Sequence, residues 1–291
     1  MKFSDKLREA RKQANMSQEA LAEKLGVSRQ AVTKWETDKG IPDISNLLEI
    51  SALFGISVEG LLSGEEGIAA KQNALYESVT EYDMDGEKRI DLKLGGAKKV
   101  VLMGTDDEKI RVRLLSRTIE TIKQDFKTRI EDEKHRIDVE IHRSAQITEA
   151  DAKERLEIEV YLPNRYLNRV EMNVNCAELQ LSKIICDNLE FNGRADHLTA
   201  DRVEAIVEVN CNLDMEIVCR GLVGSFELNQ ISATSVLTVQ NDFAFRTVVK
   251  GISNSVSYRI GEEPAEDFSD PEAETCIELN GMKSELKIVR A

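Results

Sequence analysis

The spacing of apolar residues changes along the chain. In the N-terminal part, apolar residues recur every three or four positions, as Leu21 and Leu25 do, and this is the spacing of one buried face of an α-helix. Further along, apolar and polar residues alternate, as in residues 90–94, and this is the spacing of a half-buried β-strand. The pattern therefore predicts a multidomain chain, with an all-α domain followed by an all-β domain.

Two short helices joined by a tight turn are predicted within residues 16–40. Ser17 stands where a side-chain hydroxyl would cap the first helix, and Ser28 has the same position before the second helix. Between them, Gly26 supplies the residue that adopts a left-handed conformation most easily and so ends the first helix.

The second helix of this pair is polar on one face only. At about 100° per residue, its apolar side chains fall on the side that would pack against the first helix. The opposite face carries Arg29, Gln30, Thr33 and Lys34. Their groups match the donors and acceptors of base edges and phosphates in the DNA major groove. For an isolated helix, an ordinary solvated face would be the simpler interpretation. The elements around the helix therefore have to show whether this face binds DNA.

Three further helices are predicted around this pair. One covers residues 3–14, another covers residues 42–54, and a short final turn covers residues 57–62. Together with the pair they make five small helices, which suffice for a compact all-α domain over residues 1–64.

This arrangement resembles the lambda-repressor-like helix-turn-helix domains of the XRE family. The resemblance is carried by the strings SQEALAEKLGVSRQAVTKWE and IPDISNLLEISALFGISVEGLL, including the position of the turn glycine. It covers residues 1–64. The resemblance implies a five-helix fold, binding to double-stranded DNA and a function in transcriptional regulation.

The resemblance also implies which residues meet DNA. Gln18, at the start of the first helix of the pair, would contact a phosphate or brace a recognition residue. Lys39, in the loop after the second helix, would approach the DNA backbone, although Asp38 and Asp43 in this loop would repel phosphate. The expected DNA-binding residues are Gln18, Ser28, Arg29, Gln30, Thr33, Lys34 and Lys39.

Three residues of this domain are expected to be structural. By the resemblance, Arg11 and Glu36 form an internal salt bridge. Trp35 has the flat ring of a nucleic-acid stacking residue, but its angular position on the helix groups it with Ala31 and Val32. We therefore predict that Trp35 packs in the core and does not contact DNA.

The distribution of charge favours site-specific binding over general affinity for nucleic acid. The chain carries 39 Lys and Arg against 53 Asp and Glu, a formal net charge of −14. Residues 1–64 contain nine of each sign, so the remaining 30 basic and 44 acidic residues carry the whole excess. An acidic body opposes coating of DNA. Within the N-terminal domain, however, Lys24, Arg29, Lys34 and Lys39 form a local basic patch.

Composition indicates a cytoplasmic protein. With 41% hydrophobic residues in 291, the chain can form about two domains with cores of their own. It has no run of about 18 apolar residues and no charged-then-apolar leader, so we expect neither a membrane span nor a secretory signal. Five cysteines without a CxxC pair fit reduced thiols better than a disulfide framework.

The linker between the two domains is predicted at residues 65–88. This stretch is polar and acidic and has little apolar periodicity, apart from a helical turn around residues 69–78. From Arg89 onward, alternating runs predict strands, and the charged stretch 147–155 predicts a loop or a single helical turn. The β-domain is therefore expected to cover residues 89–291.

A repeat runs through the second half of the β-domain. Asparagines that follow an apolar residue recur at intervals of 17, 18 and 19 positions, at Asn175, Asn192, Asn210 and Asn229. Short strands with a bend residue at a constant period predict a β-solenoid in which each repeat adds one coil. The region resembles the bacterial adhesin-like β-solenoid family, whose function is poorly known.

The β-domain shows no catalytic or metal-binding pattern. Its carboxylates are scattered at predicted bends, where Asp is expected for turn reasons, and its three histidines are isolated. Cysteines such as Cys176 and Cys211 could form a thiol sensor, but burial as a small hydrophobe is the commoner role. We therefore expect no enzyme activity, no cofactor and no metal.

These observations predict a cytoplasmic, sequence-specific transcriptional regulator. Its N-terminal domain would bind an operator, which we expect to be palindromic, and its β-domain would form a homodimer, sense a signal or recruit a partner. An interaction scaffold or antitoxin-like partner with secondary DNA binding is the alternative from another class. An enzyme with a DNA-binding appendage ranks third.

Overall fold

The computed structural model of the chain describes residues 3–14, 16–54, 61 and 75–291. Its contacts divide the chain into two compact units, Met1–Leu75 and Tyr76–Ala291. The first is helical and the second is built of β-strands, and we call them the head and the β-unit. None of the described helices combines the length and the apolar character needed to cross a membrane.

The head contains four helices within its described residues. They are α1 (Phe3–Gln13), α2 (Gln18–Lys24), α3 (Arg29–Glu36) and α4 (Ile44–Phe54). Helix α4 begins after Asp43, whose carboxylate accepts a hydrogen bond from the amide of Asn46 at 2.8 Å. The fifth helix, predicted at residues 57–62, lies outside the described residues except for Leu61, which is buried.

One small apolar core holds the head together. It takes residues from all four helices and from position 61. Its buried members are Leu7, Leu21, Ala22, Leu25, Val32, Trp35, Ile50 and Leu61. Trp35 has the largest side chain among them and is 7% exposed, so its ring lies in the core.

The β-unit is one mixed sheet of 15 strands within the described residues. In chain order the strands are β1 (Tyr76–Asp83), β2 (Lys88–Thr105), β3 (Lys109–Ser116), β4 (Phe126–Glu133), β5 (Arg136–Arg143), β6 (Glu157–Pro163), β7 (Leu167–Ser182), β8 (Ile185–Asn210), β9 (Glu216–Ile231), β10 (Thr234–Val239), β11 (Arg246–Val249), β12 (Ser255–Ile260), β13 (Glu263–Ala265), β14 (Cys276–Met282) and β15 (Glu285–Arg290). Two short helices, α5 (Ile122–Asp125) and α6 (Glu149–Arg155), and a 3-10 turn (Asn164–Tyr166) connect some of them.

Long strands in the middle of the β-unit stack in parallel at a constant offset. Arg169 of β7 pairs with Asn188 of β8, and His197 of β8 pairs with Glu216 of β9, so each partner lies 19 residues further along the chain. Buried apolar side chains alternate along these strands and join one continuous core. The repeat seen in the sequence therefore corresponds to one layer of this stack.

The two ends of the sheet depart from the expectation that each repeat adds one coil in order. At the N-terminal end, β3 pairs antiparallel with β1 and β6, and β4 pairs antiparallel with β5. At the C-terminal end, β15 lies between β10 and β12, and β14 lies between β9 and β11. The last strands of the chain thus insert into the stack. A local repeat cannot indicate this order, because the pairing joins segments that are distant in the chain.

The predicted linker, residues 65–88, overlaps the β-unit. Residues 65–74 lie outside the described residues. Tyr76–Asp83 forms β1, so residues 76–78, which were expected to belong to a helical turn, are part of a strand. This edge strand is half-buried or exposed throughout, so its sequence lacks the apolar alternation on which the strand predictions relied. The β-unit therefore begins before Arg89, where the sequence placed its start.

The charged stretch between β5 and β6 forms the helix α6. Thr148 and Asp151 make a reciprocal capping box at its start, and Ala152 is buried against the core of the β-unit. Gly96 of β2 permits this close packing, because a Cβ atom at that position would lie 2.9 Å from Cγ of Glu149. The helix is thus specified both by its own cap and by a glycine in a neighbouring strand.

A row of asparagine side chains runs across the stacked strands. Asn210 donates a hydrogen bond to Asn192 at 2.9 Å, and Asn229 donates to Asn210 at 2.7 Å. By strand register and the bond between Asn210 and Asn192, the row consists of Asn173, Asn192, Asn210, Asn229 and Asn280. The prediction that Asn175 belongs to it is wrong, because the layer before Asn192 is 19 residues long and not 17.

Replacing Trp35 by alanine is expected to destabilise the head strongly. The substitution removes the largest side chain of a small core, and such changes cost about 3–5 kcal/mol, a large share of the stability of a small domain. Thermal and urea unfolding of a fragment covering residues 1–75 would measure the loss.

Lys34→Ala is the control for this experiment, because Lys34 lies on the exposed face of the same helix. It should change the free energy of unfolding by less than about 0.5 kcal/mol. A Trp35→Ala head that unfolds at the wild-type temperature would contradict the core assignment.

Candidate nucleic-acid interface

The turn between α2 and α3 is held by side-chain caps on both helices. Ser17 precedes α2, and its Oγ accepts a hydrogen bond from the Ala20 amide at 3.0 Å. Gly26 has a φ of +62°, the left-handed conformation with which many helices end. Ser28 precedes α3, and its Oγ accepts from the Ala31 amide at 3.2 Å. Local residues therefore fix where α3 begins.

Helix α3 presents a polar face to the solvent. Arg29, Gln30 and Lys34 are exposed, and Thr33 is half-buried. The helical turn places these four residues on one side, while the opposite side packs into the core of the head. The structure thus brings four of the predicted DNA-binding residues onto one surface.

Two further predicted residues flank this face. Ser28 and Lys39 are both exposed, one before and one after α3. The oxygen of Ser28 is occupied as a helix cap, but a hydroxyl can accept this bond and still donate its hydrogen to a phosphate. Both residues can therefore meet a DNA backbone that lies along the polar face.

Gln18 connects α2 to the polar face of α3. Its Nε2 donates to Glu36 Oε2 at 2.8 Å, and its Oε1 lies 3.2 Å from the hydroxyl of Thr33. The single hydroxyl hydrogen of Thr33 can go to Gln18 or to the carbonyl of Arg29, which is 3.0 Å away. Of the two roles expected for Gln18, this geometry corresponds to bracing a recognition residue.

A buried ion pair ties α1 to the end of α3. Arg11 Nε and Nη2 donate to the two carboxylate oxygens of Glu36 at 2.6 and 3.0 Å. Burial by itself would raise the pKa of Glu36, but the hydrogen bonds from Arg11 and Gln18 and the arginine charge hold this pKa below its usual value. The hydrogen bonds that Arg11 donates to Glu36 raise the pKa of Arg11. The pair is therefore ionised at neutral pH.

An acidic side chain also lies beside the polar face, and the sequence pattern did not predict it. Glu19 of α2 lies 3.8 Å from the guanidinium group of Arg29, and both side chains are largely exposed. The two residues are in different helices, so helical spacing does not relate them. An exposed pair of this kind contributes roughly 0–1 kcal/mol, so Arg29 can leave it at little cost.

The cysteines of the β-unit do not form an activated thiol. All five are free, and Cys176, Cys211, Cys219 and Cys276 are buried. Burial raises the pKa values of the Cys176, Cys186 and Cys219 thiols to about 12. Because the thiolate is the reactive form, these residues are poor nucleophiles, which argues against the thiol sensor considered above.

The described part of the β-unit has a cleft with ionisable side chains but no cluster of metal ligands. It contains no group of three or more His, Cys, Asp or Glu side chains that could hold a metal ion. A cleft of about 730 Å³ lies over β2, β5, β7 and β8, and its lining includes Lys93, Glu140 and His142. Lys93 and His142 lie 2.5 and 3.3 Å from the carboxylate of Glu140. No serine, threonine or cysteine lines this cleft to act as a nucleophile.

Comparison with known proteins finds relatives of the head. Residues 7–61 match the family model HTH_3, described as Helix-turn-helix. The HTH-type transcriptional activator BcrR of Enterococcus faecalis is 48% identical over 66 residues, which cover 23% of this chain and 32% of BcrR. The uncharacterized HTH-type transcriptional regulator YqaE of Bacillus subtilis is 40% identical over 63 residues, which cover 22% of this chain and 54% of YqaE. The chain thus spans between about a third and a half of these two relatives.

A third relative is matched along almost its whole length. The uncharacterized HTH-type transcriptional regulator MJ0272 of Methanocaldococcus jannaschii is 37% identical over 64 residues. These residues cover 22% of this chain and 97% of MJ0272. The shared segment is therefore a whole protein in that organism, and a head domain here.

Two solved structures align with the larger part of the chain at low similarity. A candidate cell adhesion protein from Clostridium sporogenes aligns with 11% identity and a TM-score of 0.39, covering 75% of this chain and 100% of that one. A candidate adhesin from Bacteroides fragilis aligns with 13% identity and a TM-score of 0.33, covering 74% and 97%. Similarity at this level does not extend to activity.

Glu36→Gln is expected to destabilise the head at neutral pH and to reduce its sensitivity to acid. The pKa of Glu36 is lower in the folded head than in the unfolded chain, so its ionisation stabilises the fold above the ordinary glutamate pKa. This contribution is lost as the pH falls through the lowered value. The substitution also leaves the Arg11 guanidinium buried without a counter-charge, at a cost of about 3–5 kcal/mol.

Urea unfolding of residues 1–75 between about pH 3 and pH 7 would measure both effects. Glu19→Gln is the matched control, because the ion pair of Glu19 with Arg29 is exposed. This variant should change the free energy of unfolding by less than about 0.5 kcal/mol. An unaltered pH dependence in the Glu36→Gln head would show that the buried carboxylate does not have the role assigned to it.

Proposed function

We propose that this chain, which belongs to the helix-turn-helix family of transcriptional regulators, binds an operator in a sequence-specific manner and thereby controls transcription. Membership follows from MJ0272, since the segment shared at 37% identity spans 97% of that protein. The observation that carries the proposal is the exposed polar face of α3, set on a helix whose other face is locked in the core.

The polar face suits insertion of α3 into the major groove of DNA. The guanidinium group of Arg29 can donate two hydrogen bonds to a guanine, and the carboxamide of Gln30 can pair with an adenine. Lys34 and Lys39 offer charge to phosphates, which position the head without carrying sequence information. Gln18 acts indirectly, since it holds Thr33 in place.

The charge of the chain supports specific rather than general binding. Residues 1–64 carry nine basic and nine acidic residues and so have no net attraction for a polyanion. The β-unit contributes nearly all of the excess of acidic residues and repels DNA. Affinity must therefore come from short-range contacts at a matching site, as expected of a regulator that ignores most of the genome.

We assign dimerisation to the β-unit. The constant offset between β7, β8 and β9 supports the interpretation of this region as a β-solenoid, whose terminal layers leave unpaired edges. Among the described residues, the edge strands β1 and β11 are each paired on one side only. Unpaired edges readily add strands from another chain. A dimer would place two heads on the half-sites of a palindrome. As expected of a transcriptional regulator, we place this protein in the cytoplasm.

Replacing Arg29 or Gln30 by alanine should relax base preference at one position of each half-site. A bidentate contact of either residue with a base contributes about 1–3 kcal/mol of discrimination. The fold should not change, because both side chains are exposed. Selection of bound sequences from random DNA, with the full-length protein and each variant, would measure the change.

Arg8→Ala is the control for this selection, because Arg8 is an exposed arginine on α1 and its loss changes the charge by the same amount. Any effect of this variant should be uniform across sequences. If both the Arg29 and the Gln30 variants keep the wild-type preference, these residues do not contact bases. If the wild-type protein selects no defined site, the interaction scaffold becomes the better hypothesis.

The β-unit alone is expected to form a homodimer, whereas the head alone is expected to be monomeric. Sedimentation equilibrium of fragments covering residues 76–291 and 1–75 at micromolar concentrations would test this assignment. Mixing differently tagged full-length chains provides an independent check by co-purification. A β-unit that remains monomeric over this range would refute the dimer assignment, but it would leave DNA binding by the head untouched.

A further inference from the structure

The cleft of about 730 Å³ in the β-unit opens where β5 separates from β2. Strand β2 pairs with β5 over residues 89–93 and with β6 over residues 99–105. Between these stretches no described strand pairs with β2 on that side, because the end of β5 continues its pairing with β4 alone. Strand β5 therefore lines one side of the cleft, and β2, β7 and β8 line the other. The volume lies within the range of about 300–1,000 Å³ that is typical of sites for small ligands.

The asparagine row ends in this cleft with a free side chain. Asn173 is exposed, and its carboxamide makes no hydrogen bond within the part of the chain that the structure describes. Asn192, the next member of the row, donates to Glu190 at 3.1 Å and not to Asn173. The carboxamide of Asn173 thus keeps two donors and one acceptor for another molecule.

An ion pair lies beside this free carboxamide. By strand register, Lys93 is adjacent to Asn173 on one side and to Glu140 on the other. The hydrogen bond from Lys93 holds the pKa of Glu140 below its usual value, and it raises the pKa of Lys93. Both groups are therefore ionised at neutral pH, and their charges cancel. The ammonium group still has two further hydrogens to donate, and each carboxylate oxygen can accept a second hydrogen bond.

These groups favour an uncharged ligand that carries several hydroxyl groups. A charged ligand would have to displace Lys93 or Glu140 from the pair, whereas a hydroxyl can accept from Lys93 or donate to Glu140 and leave the pair intact. The carboxamide of Asn173 can donate to one hydroxyl and accept from the next. An apolar ligand would desolvate all these groups without giving them partners, at a cost in affinity.

We propose that this cleft binds a neutral saccharide. The inference goes beyond the proposed function, and it does not depend on DNA binding by the head. Neighbouring hydroxyl groups on a ring are the chemical feature that the cleft can recognise. The ligand can be a single sugar or the end of a sugar chain, because both present this feature.

The space around the cleft admits more than one sugar unit. A second cavity of about 420 Å³ adjoins it, and Gly95, Ile141, His142 and Asn175 line both. A Cβ atom at Gly95 would meet no other atom within 4 Å, so the passage between the two cavities is open at this residue. Chain length is therefore one variable of the test.

The experiment measures binding to the full-length protein by saturation-transfer NMR. The neutral probes are glucose, galactose and N-acetylglucosamine, each as the single sugar and as its linked dimer and trimer. Glucuronic acid, galacturonic acid and glucosamine are the charged counterparts. At least one neutral probe should bind with a dissociation constant in the millimolar range or below, and its charged counterparts should bind at least about tenfold more weakly. Tighter binding of dimers and trimers would identify a sugar chain, and equal binding would identify a single sugar.

Two variants locate the binding in the cleft. Asn173→Ala should weaken the binding of the neutral probe about tenfold, the effect of losing a well-placed pair of hydrogen bonds, and it should leave the melting temperature unchanged. Glu140→Gln should shift the preference towards glucuronic and galacturonic acid, because Lys93 then has no counter-charge. A gain of binding cannot result from misfolding, so this second variant keeps the test decisive.

Asn280→Ala is the matched control. It makes the same chemical change at the other end of the asparagine row, and it should leave saccharide binding unchanged. Equal losses in the Asn173 and Asn280 variants would refute the inference, because they would show a general effect of disturbing the row. A wild type that binds none of the saccharides, or that prefers the charged counterparts, would also refute it, as would an unchanged preference in Glu140→Gln.

Discussion

The orientation of α3 depends on one buried ion pair, between Arg11 of α1 and Glu36 at the end of α3. Both side chains lie almost entirely out of solvent, and Gln18 completes the shell around the carboxylate. Desolvating two charges is costly, and this cost is offset only when the geometry of the pair is good. The bidentate contact between Arg11 and Glu36 has such a geometry. The pair therefore contributes more to specificity than to stability, because α3 cannot rotate or slide without leaving a buried charge unpaired. In this way a head with a very small core still holds the polar face of α3 in one orientation.

The β-unit meets a different constraint, which is the close approach of backbones in stacked layers. Gly193 and Gly281 adopt positive φ angles, and a Cβ atom at either would lie within 2 Å of a carbonyl oxygen in the adjacent strand. These glycines follow Asn192 and Asn280 of the asparagine row, so each marks an irregular point of its strand where the register has to be kept. The asparagine row serves the same end, because each amide can donate to one layer and accept from another. Layers stacked in this way define their register by side chains as well as by the backbone ladder.

Features of the fold that arise from local chemistry were predictable from the sequence, and features that arise from distant pairing were not. The caps at Ser17 and Ser28 and the turn at Gly26 are short-range signals, and they indicated the helix pair directly. The polar face of α3 followed from helical geometry alone. By contrast, β1 shows no apolar alternation, since an edge strand buries little, and the insertion of β14 and β15 into the stack joins segments that are far apart in the chain. Glu19 beside Arg29 was missed for the same reason, because their contact is made between helices.

The division of charge between the two units has a consequence for how such a protein discriminates among sites. A strongly basic head would bind all DNA tightly, and base contacts would then add a small increment to a large background. A head with almost no net charge, joined to an acidic β-unit, has a weak background, so each correct base contact makes up a larger share of the total affinity. The cost is that one head binds even its own half-site weakly. Under the proposed function, high specificity achieved by this route requires a second head, and it makes the surfaces that would join the two copies as important for recognition as the residues that would touch the bases.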